Sequence, residues 1–345
     1  MENKKIREYG INIGNIKTGK NNSITDIRGV SVGHVTLDED NIKTGVTAIL
    51  PHEGNVFREK LIAACHVING FGKSTGLIQI EELGTIETPI ILTNTLSVGT
   101  AYESLVRYML TNNRDIGDTT GTVNPIICEC NDGDINDIRG LYIKEEHIYK
   151  AINNASEEFE EGNVGAGTGM ICYGLKGGIG SSSRVLELDG VEYGIGILVL
   201  SNFGKLEDFI LNGEQIGIRL SKKIKVENSR DEKGSIIAIL ATDIPLSSRQ
   251  LKRIIKRTYP GISRTGSYTG NCSGEVIIGF STANKISHYE EKDTIEIKII
   301  NENKLDAIFK ATVEATEEAI LNSMICSTST VDRQGNKVFC LMELI

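Results

Sequence analysis

The chain has 345 residues, 39% of them hydrophobic, with 37 glycines against 5 prolines. That supplies a large core and is not the composition of a disordered chain. A formal charge of −9 and a pI of about 5.3 exclude the clustered Lys and Arg of a nucleic-acid or anionic-membrane surface.

Early runs rich in Val, Ile and Thr, bordered by Gly or Pro, predict strands over 29–37, 45–51, 61–68 and 89–95. The last leads into a helix over 99–110, with Tyr102, Leu105, Val106 and Met109 at 3–4 spacing. A second amphipathic helix is expected over 145–159. Glycine-rich strands follow over 165–174, 177–188 and 191–204, where glycine signals bulges or close backbone approach. The charged run 227–233 reads as an exposed loop, followed by a strand over 235–242. The next helix, 247–259, can be capped by Ser247 or Ser248 and closed by Pro260. It carries the basic run 252–257 on its solvent side. Strands over 273–282 and 294–300, a long helix with Leu305, Ile308, Phe309, Thr312, Thr316, Ala319 and Ile320 inward, and a strand over 336–344 complete the chain. The pattern predicts one α+β domain with helices covering sheets.

The N-terminal run MENKKIREYGINIG lacks the apolar core of a secretory signal, and no apolar run of about 18 residues is present for a membrane span. Seven cysteines, odd in number and mostly inside apolar runs, fit reduced thiols in a cytoplasm. Cys128 and Cys130 form a C-x-C without an answering pair, and the five histidines share no ligand spacing, so no metal site is expected. The run 67–75, VINGFGKST, ends like a phosphate-binding loop, but Val67 stands where its first glycine belongs. A turn with an exposed Lys73 is the simpler reading. No G-x-S-x-G elbow occurs.

The junction at Gly234 and Ser235 carries more chemistry. A charged run ends at the glycine, and an apolar strand begins with the serine. Attack of the Ser235 hydroxyl on the Gly234 carbonyl would make an ester. Its hydrolysis would free an amine on Ser235, whose ordinary pKa of about 7.7–8.0 suits a base near neutrality. Gly-Ser at a strand start is common, so this pair alone favours a plain strand. Three further features bear on it. Ser273 and Glu275 lie two apart at a strand start, on one face. Asn202 ends an apolar strand, where its amide can serve an oxyanion. Glu129 sits in an apolar run, where a cationic amine would account for it. A turn cap, a backbone hydrogen bond and a salt bridge are the respective plainer readings.

The runs SITDIRGVSVGHVTL, GVTAILP, LTNTLSVGT, NDGDINDIRG, VGAGTGMICYGLKGGIGSSSRV, SNFG, GSIIAILATDIPL and RTGSYTGNCSGEVIIGFSTAN resemble, in order and over nearly the whole chain, the L-aminopeptidase/D-esterase family of DmpA-type and β-peptidyl aminopeptidases. The resemblance implies an αββα four-layer sandwich, Ntn-hydrolase-like with different connectivity. It also implies a precursor that cuts itself between Gly234 and Ser235 into chains 1–234 and 235–345. Ser235 would be the nucleophile, Ser273 and Glu275 its accessory pair, and Asn202 the oxyanion amide. Glu129 would hold the free amino group of a small peptide, amide or ester. Neither cofactor nor metal is implied, and a homo-oligomer, often a tetramer, is. Some relatives carry a tyrosine just after that glutamate that is thought to assist the oxyanion, where this chain has Asn131 and Asp134 nearby. The rival readings are an acyltransferase on the same fold, like the threonine-dependent ornithine acetyltransferases, an NTPase using Lys73, and a silent binding protein.

Overall fold

β1 (Ser31–Glu39) and β2 (Ile42–Leu50) form a hairpin in the structure, a computed structural model that describes residues 4–224 and 234–345. Then come β3 (Glu59–Gly70), α1 (Leu77–Leu83), β4 (Thr85–Ile86), β5 (Ile90–Asn94), α2 (Val98–Asn112), β6 (Ile126–Cys130) and α3 (Glu145–Asn153). A small hairpin, β7 (Ile171–Cys172) and β8 (Leu175–Lys176), precedes the long β9 (Gly178–Leu188) and β10 (Val191–Asn202). β11 (Ile210–Leu211), β12 (Glu214–Gln215) and α4 (Gly217–Ile224) follow. Past the junction lie β13 (Ser235–Thr242), α5 (Ser248–Ile255), α6 (Thr258–Arg264), β14 (Gly274–Ser287), α7 (Leu305–Ile325), β15 (Thr330–Val331) and β16 (Lys337–Val338). The charged run 227–233 lies outside the described residues.

Two sheets stack between two helical layers. One sheet has the order β1-β2-β5-β6 and the other β4-β3-β14-β13-β10-β9. Strand alternation sorts the side chains. In β13, Ile237, Ile239 and Ala241 enter the core between the sheets, beside Leu198 and Leu200 of β10 and Cys128 and Cys130 of β6. Ile236, Ala238 and Leu240 pack instead against Leu251, Ile254 and Ile255 of α5 and against α7. On the far side, Val46, Ala48, Ile91 and Ile127 meet Ala101 and Leu105 of α2 and Ile148 and Ala151 of α3. This is the expected αββα sandwich. Burying an Ile or Leu contributes roughly 1.5–3 kcal/mol, so the apolar residues of β13, covered on both faces, fix that strand and the serine at its head.

Several elements differ from expectation. α3 stops at Asn153 because the chain turns away to bridge Ser156 to Val32, with N···O distances of 3.0 and 3.1 Å. Ser247 caps α5 by accepting from Gln250 N–H. Pro260 closes nothing, since it stands in the first turn of α6, where its missing N–H is not needed. The run 165–174 gives a short 3-10 turn and the two residues of β7 rather than a strand. At the C-terminus only Lys337 and Val338 join a ladder, and the Phe339 carbonyl accepts from Lys176 N–H at 2.8 Å. The run 294–300 joins no sheet. α7 is buried on nearly every face from Glu314 onward. Two of its carboxylates there are answered by Arg184, whose guanidinium meets Glu318 at 2.7 Å and Glu314 at 3.3 Å, and Glu317 is answered by Arg264.

Candidate active site

Ser235 heads β13 with one neighbour on each side. Across the antiparallel ladder it pairs with Asn202, the last residue of β10, and across the parallel ladder with Gly274, the first of β14. Register partners point to the same face, so the side chains of Ser235 and Asn202 both face the space between the sheets. The Ser235 hydroxyl donates to the carbonyl oxygen of Gly234 at 2.8 Å. That carbonyl also accepts from Gly274 N–H at 2.9 Å. A Cβ at Gly234 would lie 2.2 Å from the Asn202 carbonyl oxygen. Glycine is needed there for close approach, not for a positive φ.

Asn202 is oriented from both ends. Its Oδ1 accepts from Ile171 N–H at 2.8 Å, and its Nδ2 donates to the Asn131 carbonyl at 3.0 Å, leaving one amide hydrogen uncommitted. Lys176, fully buried, braces that side. Its Nζ donates to the carbonyls of Gly167, Met170 and Gly177 at 3.0, 2.9 and 2.7 Å, which fixes the turn that delivers Ile171. Burial pulls the Lys176 ammonium down to about 7. The sequence signal for this residue was a lysine inside a glycine-rich apolar run, and sequence reasoning passed over it.

Glu129 is buried near the end of β6, two residues before Asn131. Its Oε1 accepts from Lys73 N–H at 2.8 Å, and its other oxygen accepts from Thr95 Oγ1. The loop after β3 ties this carboxylate to the serine. The Phe71 carbonyl abuts Gly274, beside Ser235, and a Cβ at Gly72 would lie 3.3 Å from Glu129 Oε1. Neighbouring residues of one loop thus touch the surroundings of both the carboxylate and the hydroxyl. Lys73 thus matters through its backbone N–H. Its side chain lies over the Phe71 ring, 5.1 Å from the centroid.

Ser273, just before β14, and Glu275, its second residue, are both fully buried. They flank Gly274, and Glu275, in register with Ile236, takes the face opposite the Ser235 side chain. The backbone nitrogen of Ser235 lies in the sheet plane, between the two faces. Ser273 Oγ has no hydrogen-bond partner among the described residues. Asn69 Nδ2 donates to the carbonyls of Gly270, Asn271 and Ser273, fixing the turn that carries this serine.

Behind Asn131 stands Asp132, whose carboxyl burial pushes up to about 7. Its Oδ1 accepts from Asn136 Nδ2 at 3.1 Å. The neighbouring thiols of Cys128 and Cys130 are pushed up by burial, Cys128 to about 12, which makes them poor nucleophiles. Among the described residues no group of three or more His, Cys, Asp or Glu is placed to hold a metal ion.

A serine behind a glycine at the head of a central strand, an amide beside it and a sandwich of two sheets between helices define an Ntn-hydrolase-like amidohydrolase. Comparison with known proteins narrows the class. The profile of Peptidase family S58 matches residues 22–338. The chain is 36% identical over 356 residues to the β-peptidyl aminopeptidase BapA of Sphingosinicella microcystinivorans, covering 97% of this chain and 88% of that one. Its fold superposes on the PH0078 protein of Pyrococcus horikoshii OT3 with a TM-score of 0.93 and 52% identity, over 98% and 96% of the two chains. With the L-aminopeptidase D-Ala-esterase/amidase of Ochrobactrum anthropi, a prototype serine aminopeptidase with a variant Ntn-hydrolase fold, the TM-score is 0.91 at 34% identity, covering 98% and 95%. The chain belongs to peptidase family S58.

Proposed function

We propose that this chain is a self-processing serine aminopeptidase in which Ser235 is both the point of cleavage and the nucleophile. The observation that carries this is the hydroxyl of Ser235 held 2.8 Å from the carbonyl oxygen of the residue before it, between Asn202 and Gly274. In processing, Ser235 Oγ bonds to the Gly234 carbonyl carbon. The C–N bond breaks, and the hydroxyl proton passes to the departing nitrogen. Water then opens the ester, leaving a carboxylate on Gly234 and a free amine and hydroxyl on Ser235. The products are chains 1–234 and 235–345 of one domain.

In turnover, the substrate's ammonium sits on Glu129 and Ser235 Oγ attacks its first carbonyl. The Ser235 amine, with an ordinary pKa of about 7.7–8.0, takes the proton and returns it to the leaving group as the scissile bond breaks, and water then hydrolyses the acyl ester on Ser235, releasing the acid and restoring the hydroxyl. Asn202 Nδ2 has a hydrogen to spare for the oxyanion. Ser273 and Glu275 act on that amine. A buried hydroxyl without a partner costs about 1–3 kcal/mol, and a liberated amine would give Ser273 the partner it lacks. Substrates are short peptides, amides or esters with a free amino group, and the working form is a homo-oligomer, a tetramer by family. Seven free cysteines support a reducing, cytoplasmic compartment. Among the described residues no helix is long and apolar enough to cross a membrane. Ser235 in place of threonine favours hydrolysis over acyl transfer.

Intact mass spectrometry of wild type beside Ser235→Ala tests the reading. Two fragments meeting at 234/235 in wild type alone are expected, together with release of the leaving group from aminoacyl amides. An uncut wild type, or a variant that also splits there, refutes it.

A further inference from the structure

Residues 294–300 read Thr-Ile-Glu-Ile-Lys-Ile-Ile, with the alternation of a strand, yet neither main sheet takes them up. Asn284, in β14, holds the run as a neighbouring strand would. Its Oδ1 accepts from Lys298 N–H and its Nδ2 donates to the Lys298 carbonyl, both at 2.9 Å. Two residues on, Ile300 N–H donates to the Pro245 carbonyl at 2.9 Å. In an extended chain, successive residues turn their peptide groups to opposite edges. Lys298 and Ile300 therefore face inward, and Ile295, Ile297 and Ile299 present their N–H and C=O groups outward. Among the described residues nothing in this chain bonds to those outward groups. The same three side chains are 54%, 42% and 56% exposed.

We propose that residues 294–300 form a dimerisation strand, pairing antiparallel with the same residues of a second copy of this chain about a twofold axis through Ile297. That axis makes the two Ile297 residues a hydrogen-bonded pair, so the outward groups of both chains find partners. It puts Ile295 opposite Ile299 and joins the isoleucines of both strands into one apolar stripe. It also puts Glu296 opposite Lys298 of the partner subunit, twice. Neighbouring registers fail on charge: an axis through Ile299 sets Glu296 against Glu302, and one through Ile295 sets Lys298 against Lys292. A lone lysine on a strand edge ordinarily repels other edges. Here Glu296 answers it, so the edge excludes other strands and accepts its own copy.

The test is the mass in solution of the full chain, by sedimentation velocity at micromolar concentration, with circular dichroism to show that each variant is folded. Wild type is expected at twice the chain mass or an even multiple of it. Ile297→Pro, which removes the central donor, and Glu296→Lys, which opposes like charges at an exposed position, should each reduce that mass by half or more. The double exchange Glu296→Lys/Lys298→Glu should recover it. A monomeric wild type overturns the proposal. So does an oligomer indifferent to both single substitutions, or a double exchange that recovers nothing. The readout is mass, so it stands apart from the hydrolase assignment.

Discussion

A Cβ built on Gly274 would stand 3.3 Å from Ser235 Oγ and 2.5 Å from the carbonyl oxygen of Phe71. The glycine keeps open the space in which the serine hydroxyl must turn from the Gly234 carbonyl toward a substrate. Gly274→Ala should therefore push apart β14 and the loop at Phe71, lowering turnover by about 10²-fold, the typical cost of an ångström-scale misplacement. Self-cleavage should slow with it. Steady-state kinetics and the fraction of uncut chain on a denaturing gel measure the two effects. Wild-type rates in this variant would show that the hydroxyl does not use that space.

Asn202→Ala removes the amide beside the nucleophile. The loss of one oxyanion donor typically costs about 10²–10³ in kcat, and KM should hardly move, because the donor acts on charge that develops in the transition state. A variant whose KM rises while kcat stays constant would assign Asn202 to substrate binding.

Glu129→Gln keeps the shape and the bond from Lys73 N–H, lets the new amide donate to the Thr95 hydroxyl, and removes the charge. Peptides with a free amino group should bind worse by about 10-fold or more, since an ion pair shielded from water outweighs a neutral contact. Esters lacking that amine should lose little. Lys73→Ala leaves the backbone donor in place and should shift KM far less than Glu129→Gln. Equal losses with both substrate types would count against an amine-binding role.

Asp132 supplies a pH dependence of stability. Its carboxyl is raised to about 7 in the folded chain against an ordinary value near 3.9 when unfolded. Between those values the unfolded chain has released the proton and the folded chain keeps it, so stability falls as pH rises, by up to about 1.4 kcal/mol per pH unit. Its contribution is complete below pH 4 and lost above 7. Asp132→Asn should flatten the dependence of the denaturation midpoint on pH across that window. An unchanged profile would show that Asp132 ionises normally.

Much of this molecule was legible before folding was considered. The strand 235–242 was bounded correctly, because six consecutive apolar residues framed by Gly-Ser and Asp-Ile-Pro have few alternatives. The expected strand at 294–300 failed for a reason that periodicity cannot express. Alternation reports that a segment suits a sheet, not that a partner strand is available in the same chain. Pro260 failed as a stop because its effect depends on whether it falls in a helix interior or a first turn.

The sequence by itself determined which residues are candidates for the site and the local order of Gly234 and Ser235, since both depend on side-chain type and on neighbours along the chain. Tertiary structure alone decided how they meet. Asn202, Ser235 and Gly274 stand side by side because three strands distant in sequence share one register. Glu275 faces away from the Ser235 side chain because a pleated sheet sends alternate side chains to opposite faces. Which face lies toward Ser235 was set by the pairing of strands, which no single segment encodes.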